Sequence, residues 1–150
     1  MVKKINKELK QKMINSMMKH GEKKTVEKIV KKSLKLIQKS NKKHHLSLLK
    51  HSIINSTPTF KISVQAKKRG KRKTKKEIPT FISNDSLRII SSFNFLSENS
   101  LKNKELKKFY KKITQEIIAS SLQNSKSIEQ KNEIQKNVLM QKRYLLNFRW

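Results

Sequence analysis

The chain has no cysteine, two glycines, two prolines and one tryptophan in 150 residues, and only 10 acidic residues against 38 Lys plus Arg. The missing cysteines exclude a disulfide framework and thiolate metal sites. The ten carboxylates, among them Glu27, Glu77, Asp85 and Glu116, stand singly among lysines, so none forms the cluster that acid–base catalysis or a nuclease metal centre needs. His44, His45 and His51 have no carboxylate or cysteine at ligand spacing, and no metal or cofactor is expected. The glycine context KRGKRKTKK lacks the second glycine and the Lys-Ser/Thr pair of a nucleotide-phosphate loop. An enzyme is therefore not expected. No apolar run approaches the roughly 20 residues of a membrane helix, and the amino terminus has no secretory signal pattern. A soluble protein without a membrane partner is the expectation.

What the chain does have is charge. A net +28 and a pI near 10.5 make it repel itself unless a polyanion neutralises it. Leu, Ile, Val and Phe still supply 41 residues, enough for a core, and the length suits one domain spanning residues 1–150. The abundance of Lys, Asn, Ile, Ser and Leu beside scarce Ala, Gly and Pro fits an AT-rich genome, either organellar or that of an AT-rich bacterium or parasite.

Hydrophobic periodicity predicts six helices. Ile5, Leu9, Met13 and Met17 form a ladder that stops at Gly21, where positive φ can end a helix. Val26, Ile29, Val30, Ser33, Leu34 and Ile37 form the inward stripe of a second, with Lys28, Lys31, Lys32 and Lys35 on its other face. Leu46, Leu49, Ile53 and Ile54 mark a third, ending before Pro58. SNDS, Ser83 to Ser86, offers N-cap side chains to a fourth through Leu87, Ile90, Phe93 and Phe95 or Leu96. Leu106, Phe109, Tyr110, Ile113 and Ile117 mark a fifth, and Ile134, Val138 and Leu145 a sixth, with Gln123 to Asn132 as their connection.

Between the third and fourth helices the period changes to two. Phe60, Ile62, Val64 and Ala66 alternate with polar residues, and Ile78, Thr80 and Ile82 do so again beyond a basic run. The expectation is a β-hairpin arm over about 59–83, its strands joined by a connection of roughly ten residues. That run, Lys67 to Lys76, holds eight cations: Lys67, Lys68, Arg69, Lys71, Arg72, Lys73, Lys75 and Lys76. Such a cluster suits phosphate neutralisation with counterion release, and lysine suits backbone and shape recognition more than base reading. Trp150 could stack on a base or a partner, or close the core. A basic architectural DNA-binding protein is the alternative, although its arm would carry a proline or apolar wedge and KKRGKRKTKK has none.

Several stretches together resemble protein seven of the small ribosomal subunit. They are INSMMKHGEKKTVEKIVKKSL (Ile14 to Leu34), NSTP (Asn55 to Pro58), the basic hairpin ending in Ile78-Pro79, LRII (Leu87 to Ile90) and the closing RYLLNFRW. The resemblance implies a mainly α, six-helix, bundle-like domain with a protruding basic β-ribbon. It also implies binding to the 3′ major domain of small-subunit ribosomal RNA and assembly of the subunit head near exit-site transfer RNA. Ribosomal proteins nine, eleven and thirteen are the implied neighbours. By the same resemblance Lys19, Lys23 and Lys24 at the first turn become RNA contacts, as do Lys67, Lys68, Arg69, Lys71 and Arg72 on the ribbon, and Arg88, Arg143 and Arg149. With the AT-rich bias and no presequence pattern, the expected location is the mitochondrial matrix, the alternatives being another organelle or a bacterial cytoplasm.

Overall fold

A computed structural model of the chain describes residues 2–40, 45–69, 72–104 and 106–141, with side chains described outside 2–7 and 66–76. In order along the chain come α1 (Val2–Met17), α2 (Lys23–Ser40), α3 (His45–Ser56), β1 (Phe60–Arg69), β2 (Arg72–Phe81), α4 (Asp85–Lys102), α5 (Phe109–Ser121) and α6 (Lys126–Met140). The architecture is mainly α with one antiparallel hairpin, as the periodicities require.

Helix α5 sits at the centre and packs against α2, α3 and α4. Met13, Val30, Ile37, Leu49, Phe93, Ile113 and Ile117 meet there, all almost fully buried. Serines complete the contacts where bulkier side chains would hold the helices apart. Ser56 Oγ and Ser92 Oγ share a hydrogen bond of 2.9 Å between α3 and α4, and Ser120 Oγ donates to Ser52 O at 3.2 Å between α5 and α3. Burying the Ser56, Ser92 and Ser120 hydroxyls is tolerable because each has a carbonyl or hydroxyl partner, whereas the buried Ser52 Oγ has none.

These serines correct the expected face of α3. The predicted inward set included Leu46 and Ile54, but Leu48, Leu49, Ser52, Ile53 and Ser56 are the buried residues, and Ile54 is 68% exposed. Hydropathy discounts serine, which rotates the predicted stripe away from Ser52 and Ser56. On α4, Leu87 is likewise exposed, whereas Phe93 and Leu96 are buried and the helix continues to Lys102 with Asn99 and Ser100 inside.

Helix α6 begins well before its predicted start. The expected connection from Gln123 to Asn132 shrinks to the few residues after Ser121, because Ser125 is an N-cap whose Oγ accepts from Ile128 N. Glu116 of α5 adds a second cap: Oε1 accepts from Ser127 N at 3.1 Å and from Ser127 Oγ at 2.6 Å. The polar composition conceals a helix start capped partly from another helix. Val138 is buried as predicted; Leu145 lies outside the described residues.

The hairpin also differs from expectation. Its ladder runs from Phe60↔Phe81 out to Lys68↔Lys73 and Arg69↔Arg72, so the connection is two residues, not ten. Backbone groups can pair along a basic run even where like charges opposite one another cost stability, and antiparallel strands need only a two-residue link. The register places Ile62 opposite Pro79 and Phe60 opposite Phe81, so β2 contributes Pro79 and Phe81 to the apolar face rather than Ile78 and Thr80. A one-residue offset exchanges the faces of a strand. Pro79 fits because a two-stranded ribbon has only edge strands. Val64, 59% exposed, marks where the ribbon leaves the bundle.

Candidate RNA-binding surface

Three basic elements emerge from this frame. The first is the corner between α1 and α2. His20 and Gly21 adopt φ of 51° and 76°, Glu22 N donates to Lys19 O at 3.1 Å, and α2 begins at Lys23. Lys19, Lys23 and Lys24 are all exposed on this corner, as expected. A Cβ at Gly21 would meet nothing within 4 Å, so only its positive φ restricts substitution. Gly21→Val should therefore destabilise the RNA-bound protein by about 1–2 kcal/mol through backbone strain alone. Gly21→Asn should be milder because asparagine tolerates the left-handed region. Thermal melts of the two bound variants test this; equal behaviour would remove the positive-φ requirement.

The second element is the ribbon. Lys67, Lys68, Arg69, Arg72, Lys73, Lys75 and Lys76 all belong to the outer half of the paired strands. Like-charged residues stand opposite each other at Lys68↔Lys73 and Arg69↔Arg72, an arrangement that destabilises an isolated ribbon. Lys71, Arg143, Arg149 and Trp150, all singled out in the sequence, lie outside the described residues.

The third element fixes the ribbon to the bundle. Phe60 and Phe81 meet edge to face with centroids 5.9 Å apart, and Ile82 N donates to Thr59 O at 3.0 Å. Gln135 of α6 donates to Thr59 Oγ1 at 3.1 Å. Arg88 closes the root from α4: Nε donates to Ile82 O at 2.7 Å, the guanidinium lies 5.1 Å from the Phe81 ring centroid, and Nη1 is 3.8 Å from Asp85. The geometry thus gives Arg88 the work of orienting the ribbon. Asn84 caps α4 beside it, its Oδ1 accepting from Ser86 N at 2.8 Å, in keeping with the capping role expected of SNDS. Lysine cannot reproduce the planar guanidinium stack. Arg88→Lys should leave the fold intact but lower RNA affinity several-fold by loosening the ribbon. Binding curves paired with melts check this; unchanged affinity would show that Arg88 does not orient it.

Two lysines that the sequence did not single out also have internal tasks. Lys12 Nζ donates to Ser86 Oγ at 3.0 Å, tying α1 to the start of α4. Lys131 Nζ donates to Asn55 O at 2.6 Å in the last turn of α3, while Asn55 Nδ2 donates to Ser120 O at 2.9 Å. Burial lowers the Lys131 pKa from its ordinary value. Lysine abundance hides these roles, because in sequence they look like their solvent-exposed neighbours. Among the described residues no three His, Cys, Asp or Glu side chains gather as a metal site. No described helix is long and apolar enough to cross a membrane.

Fold and charge together define a mainly α, strongly basic protein that carries a rooted antiparallel ribbon. The model of the family described as ribosomal protein S7p/S5e matches residues 1–142, and the chain belongs to that family. It is a family of structural ribosomal proteins of the small subunit, not of enzymes. No curated protein matches the chain.

Proposed function

We propose that this protein binds the 3′ major domain of small-subunit ribosomal RNA and organises the subunit head beside exit-site transfer RNA. The carrying observation is the ribbon, whose paired strands hold like charges directly opposite one another on a root locked by Arg88 and the Phe60–Phe81 contact. Phosphate neutralisation relieves that repulsion, and binding to the folded state stabilises it. The contacts are Lys19, Lys23 and Lys24 at the corner, Lys67, Lys68, Arg69, Lys71, Arg72, Lys73, Lys75 and Lys76 on the ribbon, and Arg143 and Arg149 near the end, with Trp150 available for stacking. Arg88 joins them through the ribbon it positions. Ribosomal proteins nine, eleven and thirteen are the neighbours. The AT-rich composition supports a mitochondrial ribosome as the setting.

Crosslinking in the native particle tests this reading. Crosslinks from the corner and ribbon to the 3′ major domain are expected. Crosslinks to DNA, or to a different RNA domain, would replace it.

A further inference from the structure

The outer face of α2 carries a lysine stripe that neither the ribbon nor its root uses. Val26, Val30, Ser33, Leu34 and Ile37 turn into the core, so Lys24, Lys28, Lys32 and Lys35 are left exposed on the other side. From Lys24 to Lys35 the stripe extends about 16 Å at the α-helical rise. Its only acidic neighbour on α2 is Glu27, which is half-buried. Among the described residues the ion pair found joins Arg88 to Asp85, away from this helix.

Packing brings α5 beside the stripe. Thr114 Oγ1 donates to Ser33 O at 3.4 Å, and Lys32 Nζ lies 5.8 Å from the centroid of the half-buried Tyr110 ring. Lys107 and Lys111 are exposed on either side of Tyr110 in sequence, at a helix start with no acidic residue in its first turn. Cations there oppose the positive end of the helix dipole, and among the described residues no ion pair engages the lysines of either helix. An aromatic contact leaves the charge of Lys32 uncompensated.

We propose that Lys24, Lys28, Lys32, Lys35, Lys107 and Lys111 form a second RNA-backbone face. It continues from the α1–α2 corner across α2 to the start of α5, and holds an RNA segment other than the one on the ribbon. The two faces belong to different parts of the bundle. The ribbon is rooted on α4 and α6, whereas α2 packs against α1, α3 and α5. A row of point charges without arginine forks suits phosphates spaced along a strand and needs no base sequence. An acidic protein surface is the other candidate occupant. The RNA assignment is favoured because the stripe begins at Lys24, itself one of the exposed corner lysines. This second face presupposes the RNA-binding function proposed above.

The absence of cysteine allows a unique tether. Small subunits assembled with Lys35→Cys or Lys61→Cys, each carrying iron–EDTA, would report nearby RNA by hydroxyl-radical cleavage; Lys61 is exposed near the ribbon root. Position 35 should cleave a segment different from that cleaved from position 61. Cleavage from 61 alone would place the α2–α5 face against protein or solvent and overturn the second site. One segment cut from both positions would also overturn it. Cleavage from neither would remove the RNA-binding function itself. In parallel, the quadruple variant Lys28→Gln, Lys32→Gln, Lys35→Gln and Lys111→Gln should flatten the log-affinity against log-salt slope by about three units. The corresponding arginine variant should keep the slope. Equal slopes for the glutamine variant and wild type would overturn the assignment, provided melts show both folded.

Discussion

Replacing Lys71, Arg72, Lys73 and Lys75 together by glutamine is expected to flatten the dependence of log affinity on log salt by about three units, because each phosphate left without its cation takes just under one unit from the slope. Affinity at low salt should fall most, since counterion release contributes most there. The same substitutions should leave the free protein unchanged or slightly more stable. Residues 68 and 73, and 69 and 72, oppose each other in the ladder, and neutralising one member of each pair removes repulsion. Opposite signs for binding and stability distinguish an interface from a structural role. Filter binding across a salt series, paired with thermal melts, reads both. A parallel loss of stability and affinity would mean that the basic run holds the ribbon together. An unchanged slope would mean that it faces solvent or protein.

Phe93→Ala is expected to be the most damaging single substitution in the bundle. The ring is 1% exposed on α4, in the core shared with Ile113, Ile117 and Leu49. Removing it takes away buried apolar surface and leaves a cavity, at a cost of about 3–5 kcal/mol. A chain with a net charge of +28 has little reserve against such a loss. The free variant should lose its cooperative melt in low salt, and RNA should restore folding only partly. Leu87→Ala, at an exposed position of the same helix, should change stability by no more than about 0.5 kcal/mol. Equal effects at the two positions would contradict the packing of α4.

Much of this protein is written in short-range patterns. The apolar spacing of α2, that of α5 from Phe109 onward though not at Leu106, which precedes the helix, the Asn84 cap and the glycine at the α1–α2 corner act within a few residues, so the sequence alone carries them. The demand for a polyanion is equally local to composition, because charge needs no fold to be counted. What tertiary structure decided is whatever depends on a neighbour distant in sequence. Ser52 and Ser56 are core residues only because Ser120 and Ser92 pack against them. The early start of α6 relies in part on Glu116 from another helix. Strand register chose Pro79 and Phe81 over Ile78 and Thr80, a choice that alternation in one strand cannot make without its partner. The lysines divide in the same way. Their side chains are chemically identical, so only the positions of α3, α4 and α5 set the inward tasks of Lys12 and Lys131 apart from the exposed charges of Lys28 and Lys35.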